Sequence, residues 1–444
     1  MTLGHRGSQR ALGWPGVVRL GLVQAALGSV VVLSISTLSR VMVVEYAWPA
    51  ILPGALVALH YAVQFTRTRF GYRADRGGPI IPWILGGMVI LAAGGILCAL
   101  ATVLLPKDPL AAVPLAIAAY ALVGLGVSAA GTSLLVLVAA RVEPARRAGA
   151  AAVMWILMIA GFAVTSSVVG RFLDPFSAHR LVTITAVVSL CALALSVCAV
   201  SGIGAPAAGV ATRGAAASSG SAFFASLRAA WREPQIRNFT LFVLISMLAY
   251  SAQELLFEPF AGLVFGLTLG ASARLSGLWH ASVLGGMIAF GILCRGKWHD
   301  AALRFCTVAG CGASAAAVAA LSLASLVGPG WPLGASVIAL GVSNGVFAVA
   351  AIGSMMMLAH RGGPQSAGLR MGLWGAAQAA GFACGGLIAT TLLDTSRHWF
   401  GSVGKAFSAV FAIEALLFLT AALYAGRVDI RQGWRNGIAV AANP

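Results

Sequence analysis

The sequence predicts an all-α integral membrane protein, a bundle of twelve transmembrane helices in two six-helix halves, and three observations carry that reading. Of 444 residues, 59% are hydrophobic and 9% charged, with a mean hydropathy of +0.92, whereas a soluble domain carries roughly a quarter charged residues. Apolar runs recur along the whole chain, each near the ~20 residues that a helix rising ~1.5 Å per residue needs to cross a bilayer. Midway, a stretch of Gly, Ala and Ser from Gly204 to Ser221 breaks the series, and its composition reads as a flexible linker. Helices satisfy their own backbone groups in lipid. A β-barrel would instead show segments of about ten residues with alternating polarity, and this chain has no such pattern.

The expected spans are 17–40, 48–66, 80–105, 110–140, 149–170 and 181–203, then 238–265, 272–294, 305–328, 331–359, 369–392 and 402–426. The first run, beginning near Val17, is long enough to span and has no small-residue cleavage site, so it is expected to stay in the mature protein. Arginines follow the second span (Arg67, Arg69, Arg73, Arg76), the fourth (Arg141, Arg146, Arg147) and the twelfth (Arg427, Arg431, Arg435). Basic residues near spans are retained on the cytoplasmic side, so both termini are expected there. The organisation is therefore an N-terminal half at 1–203, a cytoplasmic linker at 204–237, a C-terminal half at 238–426 and a cytoplasmic tail at 427–444. Within the linker, Phe223, Phe224, Leu227 and Trp231 recur at helical spacing beside Arg228 and Arg232, the pattern of a helix lying in the membrane interface.

The net charge of +17 is explained by these loops and tails rather than by a nucleic-acid partner. The seven cysteines (Cys98, Cys191, Cys198, Cys294, Cys306, Cys311, Cys384) lie in or beside apolar spans with no metal-binding spacing, and are expected to be small core residues. No free metal ion is expected. Walker, G-x-S-x-G, HExxH and dinucleotide fingerprints are all missing, so the chain is read as not an enzyme.

Glu254 and Glu258 stand four apart on one face of the seventh helix. Carboxylates inside a membrane are costly and usually face a bundle interior. Proton coupling, pairing with Arg40 or Arg274, and contact with a bound ligand would each account for them. His60 and His280 are the histidines most clearly inside spans, each either an axial ligand or hydrogen-bonded to a neighbour. Glu414, in the twelfth helix, faces either the bundle or a partner subunit. Gly368, Gly372, Gly381 and Gly385, with Gly375 and Ala376 nearby, give the eleventh helix a small face that allows close helix approach. That face serves packing within the bundle, or docking of a partner helix or a flat ligand.

The loop Gly71-Tyr72-Arg73-Ala74-Asp75-Arg76-Gly77-Gly78 resembles the G-x-x-x-D-R-x-G loop signature of the major facilitator superfamily, without its trailing basic pair. In it, Gly71 and Gly77 permit a tight turn while Asp75, next to Arg76, can meet the positive end of a helix. From Arg237 to Met287 the chain resembles the PucC/LhaA family of light-harvesting complex assembly proteins, through Gln253, Glu254, Glu258, Pro259, Phe260, Gly262, Phe265 and Gly266. Arg40 and Glu45, at the end of the first helix, match that family's opening. The resemblance implies a factor that assembles light-harvesting antenna complexes in a purple phototrophic bacterium, binding or delivering bacteriochlorophyll or antenna polypeptides. By the same resemblance, carotenoid or lipid is a further ligand class. Antenna polypeptides, the reaction centre, a pigment synthase and membrane lipids are partner classes, and the location is the photosynthetic intracytoplasmic membrane. Two other readings stay open: a proton-coupled transporter of a small amphipathic solute, and a structural antenna subunit that handles no pigment. The candidate pigment or partner site is Gln253, Glu254, Glu258, His60 and His280, with Arg40, Glu45 and Arg274 as candidate ion-pairing groups.

Overall fold

A computed structural model describes residues 12–67, 80–143, 146–203, 228, 231–293, 300–361 and 364–428. Among them the long elements are all helical: α1 (Trp14–Glu45), α2 (Ile51–Thr66), α3 (Ile80–Leu104), α4 (Pro109–Arg141), α5 (Arg147–Val169) and α6 (Ala178–Val200). They continue as α7 (Pro234–Phe265), α8 (Leu269–Leu293), α9 (Asp300–Val327), α10 (Leu333–Arg361), α11 (Pro364–Phe400) and α12 (Val403–Gly426). Eleven of these are long and apolar enough to cross a membrane, and α2 is shorter.

Local chemistry sets several of the ends. Asp108 accepts from the Ala111 amide and Pro109 follows it, so α4 starts with a side-chain cap and a proline whose missing N–H would be unpaired anyway. Ser177 and Ser402 cap α6 and α12 in the same way. The start of α2 is capped from a distance, by Asp394 of α11, which accepts from the amides of Ala50 (3.1 Å) and Ile51 (2.8 Å). Gly266, at φ +66°, ends α7 in the left-handed conformation that glycine adopts without steric cost.

The spans differ from the expected ones at their ends. The first helix continues past Arg40 to Glu45, because two π-helical turns, Leu33–Thr37 and Val41–Glu45, absorb extra residues without breaking the helix. The eleventh runs on to Phe400 through Asp394, Arg397 and His398. Polar residues there mark the end of the apolar run, not the end of the helix.

In the interior, α1 packs on α5 and α6, α3 on α4 and α6, and α2 on α4; α7 packs on α11 and α12, α8 on α10, and α9 on α10 and α12. Two larger seams, α5 with α8 and α2 with α11, join these sets, and the second half of α1 also packs on α7. Glycine makes both seams close. A methyl group on Gly170 would meet the Gly270 carbonyl and the Arg274 backbone, and one on Gly54 would strike Thr390. Leucines such as Leu190, Leu416 and Leu423 point outward, as lipid-facing helices require. The cysteine expectation fails in part: Cys98 and Cys311 are buried, but Cys191, Cys198 and Cys384 are exposed on helix faces. A thiol is apolar enough for an outward face when the solvent is lipid. Cys294 lies outside the described residues.

Candidate functional site

The polar residues of the interior gather around the second half of α7, where Ala252 to Ala261 are buried without interruption. Glu258 is 0% exposed and Glu254 7%. Neither is ion-paired. Glu254 accepts from the Tyr61 hydroxyl of α2 at 3.4 Å, with Tyr250 beside it. Glu258 accepts from the Thr37 hydroxyl of α1 at 3.5 Å through Oε1, while its Oε2 has no partner. Ser36, Ser276 and Arg40 border the same carboxyl. The two acids thus face the seam between α7 and the helices α1 and α2, one turn apart.

Gln253 points into a different set of helices. Its Oε1 accepts from Asn344 of α10 at 2.9 Å, and Asn344 in turn accepts from Ser314 of α9 at 2.8 Å. Glu414 of α12 borders Gln253, is 2% exposed, and leaves both carboxyl oxygens without a hydrogen bond. It therefore faces the bundle, not an outside partner.

Arg40 is 1% exposed and has a full set of partners: Glu45 at 2.6 Å, the Leu267 carbonyl at 2.7 Å and the Ser272 hydroxyl at 3.1 Å. The left-handed Gly266 turns the chain between α7 and α8 and so presents the Leu267 carbonyl to it. Arg274 donates to the Gly170 carbonyl at 2.7 Å and stands 3.9 Å from Asp174, which also accepts from Thr268 (2.7 Å) and the Gly270 amide (2.9 Å). The expected pairing of Glu254 or Glu258 with Arg40 or Arg274 is therefore replaced. Both arginines are taken by carbonyls and by nearer acids, and the glutamates are left with hydroxyls.

The histidines do not fit a chlorin magnesium in this arrangement. His60 Nε2 lies 2.8 Å from the Gln64 amide nitrogen, whose oxygen is held by Arg67. Nε2 is thereby the acceptor, and the unpartnered Nδ1 carries the proton. His280 donates Nδ1–H to the Ser276 carbonyl at 2.9 Å, leaving Nε2 with a free lone pair. That atom has the right chemistry for an axial ligand. Its ring, however, is 0% exposed and packed against Phe162 (5.1 Å) and Trp279 (4.8 Å), which leaves no room for a macrocycle.

On α11, Gly381 and Gly385 face α7, where added methyl groups would meet Met247, Leu244 and Leu248. Gly372 and Gly375 face open space. Trp231 and Arg232 are helical and exposed, but Phe223, Phe224 and Leu227 lie outside the described residues. So does the loop motif of Gly71, Asp75, Arg76 and Gly77. Tyr61, Thr37, Asn344 and Ser314 were not singled out from the sequence. A lone asparagine in the apolar run of α10 was the one available signal among them.

The family model described as PUCC protein matches residues 37–433. A relative from Rhodobacter capsulatus with the name "Bacteriochlorophyll synthase 44.5 kDa chain" is 47% identical over 95% of this chain and 97% of its own length. "Protein PucC" of the same organism is 25% identical over 92% of this chain and 91% of its own. Among solved structures, a peptide transporter superposes with a TM-score of 0.67 at 15% identity, over 94% of this chain and 97% of its own. A bacterial homologue of the lysosomal transporter Spinster, in an inward-facing conformation, gives 0.66 at 13% identity, over 93% and 95%. These structures share the fold, a transporter-type helix bundle.

Proposed function

The chain belongs to the PucC family, and from that membership we propose that it is an assembly factor for photosynthetic light-harvesting complexes that handles bacteriochlorophyll as cargo. The observation that carries this reading is the match along residues 37–433 together with the 47% identical relative whose name links it to bacteriochlorophyll. The name also supports a pigment synthase as a partner, beside antenna polypeptides and the reaction centre. The chain's own contribution is non-catalytic on this reading. The transporter-like fold and the lack of nucleophile, base and metal motifs in the sequence support it. Carotenoid or lipid is a secondary cargo class.

The proposed architecture is twelve spans in two six-helix halves, 1–203 and 238–426, with the 204–237 linker and both termini on the cytoplasmic side of the photosynthetic membrane. The packing of α2 on α11 and of α5 on α8 supports a central seam between the halves. Glu254, Glu258 and Gln253 are the proposed polar centre on which cargo or partner reception depends. His280 and His60 are proposed to orient neighbours, not to hold pigment. The test is the near-infrared spectrum of the protein purified in mild detergent from a phototrophic host. Copurified bacteriochlorophyll in the parent protein and in His280→Leu alike supports this reading; loss of pigment in His280→Leu alone, with the protein intact, shows that the histidine is a ligand.

A further inference from the structure

Arg40 sits between two π-helical turns, and each turn carries one of the groups that decide its environment. The first, Leu33–Thr37, supplies Thr37, the hydroxyl donor to Glu258. The second, Val41–Glu45, supplies Glu45, the carboxylate that pairs with Arg40. A π turn closes its hydrogen bond over one more residue than the α-helix around it, and such turns are frequent at functional sites. Two such turns flank one buried arginine.

The groups facing Glu258 leave a single charged partner within reach. From α1 come Ser36, Thr37 and Arg40, and from α8 comes Ser276, with neutral His280 one turn beyond it. On α7 itself, Glu254 is one turn away and accepts from Tyr61 of α2. Of the other helices packed on α7, α12 brings Glu414, which borders Gln253, and α11 brings Asp394, which is held by the start of α2. Arg274 is held by Gly170 and Asp174. With Arg40 committed to Glu45, Leu267 and Ser272, a charged Glu258 would be a fully buried carboxylate with one long hydrogen bond and an empty oxygen. A charge there would be left largely uncompensated.

We propose that Glu258 is a proton-binding site that competes with Glu45 for Arg40, so that loss of its proton releases the contact of Arg40 with the turn between α7 and α8. With the proton bound, Arg40 bridges α1 to the Leu267 carbonyl and Ser272 and holds this end of the seam shut. When the proton leaves for solvent, the carboxylate formed draws the guanidinium toward α7 and away from Glu45, and the bridge to Leu267 and Ser272 opens. One proton is released per opening, and no other bond is made or broken. The device makes the seam responsive to pH or to a proton gradient, and it does not depend on which cargo the protein handles.

The test uses full-length protein in lipid nanodiscs with two readouts. Infrared difference spectra between acid and alkaline pH should contain a carboxylic-acid band that disappears in Glu258→Gln. Paramagnetic labels at Pro49 and Ala271 should report a second, longer distance at alkaline pH that Glu258→Gln loses, since its neutral amide keeps Arg40 on Glu45 at every pH. Glu45→Gln provides a check that leaves Glu258 in place: without its competitor, Glu258 gains Arg40, and the longer distance should be populated at least several-fold more at neutral pH. A band retained in full in Glu258→Gln, or a distance distribution in Glu45→Gln unchanged from the parent, would overturn the proposal.

Discussion

Glu254 and Glu258 occupy the same helical face, yet their surroundings differ in kind. Glu254 shares its carboxyl with a phenol, in a layer of rings where Tyr61 packs 5.0 Å from Phe382. Glu258 touches only hydroxyls and the edge of a committed arginine. Each neutral amide replacement keeps size while removing the titratable group. Glu254→Gln and Glu258→Gln should therefore insert normally and lower antenna absorbance per cell at an unchanged immunoblot signal. Disappearance of the protein in both would make the pair structural instead. Arg40→Leu is expected to be worse, because it leaves Glu45 unpaired and removes three hydrogen bonds at once, one buried and two part-buried. Glu45 keeps some exposure, so the loss is smaller than for a fully buried pair. The measurement is the thermal unfolding midpoint in detergent. The intramembrane acids were legible in the sequence, because few charges stand inside the apolar runs and each draws the eye. Their partners were not. A hydroxyl such as Thr37 or Tyr61 is an ordinary membrane-helix residue, and its role emerges only when α1 and α2 are set against α7.

At the scale of elements, the close seams rest on missing side chains and one long-range cap. An alanine at Gly385 would press its methyl group into Leu248 of α7, whereas an alanine at Gly372 meets open space. Gly385→Ala should lower stability by about 1–3 kcal/mol through overpacking. Gly372→Ala should be neutral or raise it by up to about 1 kcal/mol through helix propensity. Equal midpoints for the two variants in a thermal melt would contradict the assigned packing. Asp394→Ala removes both acceptors from the start of α2, a loss on the order of 1–2 kcal/mol if it behaves as an N-cap. Proteolysis or exchange at Ala50–Leu52 should increase. Helix order and type were readable from the apolar runs. The π turns of α1 and the extension of α11 were not, because hydropathy measures solvent preference and carries no information on how a helix absorbs an extra residue. Repetition of glycine on α11 was visible, but which of its glycines face α7 depends on the rotation of the helix in the bundle.

Over the whole molecule, a transporter-type fold carries a sequence of the PucC family, and among the described residues its buried charged groups are few: Arg40, Glu254, Glu258 and Glu414. Such an interior suits an amphipathic, lipid-borne cargo better than a hydrophilic solute. The topology proposed from the arginines predicts that a reporter active only in the periplasm stays silent when fused after Arg213 or Arg435. Activity at either site would require an odd number of spans before it. Family resemblance was legible in the QELLFEPFAGLVFG run of α7, whose acids and closing glycine build the interior polar centre and the turn that Arg40 grips. The fate of the pigment was not, since of the buried histidines that suggested ligation His280 is packed between aromatic rings and His60 is taken by Gln64. The central claim, that this chain supports antenna assembly, is tested most directly by near-infrared antenna absorbance per cell in a phototrophic host lacking the protein and in the same host after its gene is restored. The account predicts a several-fold loss of antenna absorbance that the restored gene reverses. Antenna absorbance that is equal in the two strains, with bacteriochlorophyll synthesis intact, would contradict it.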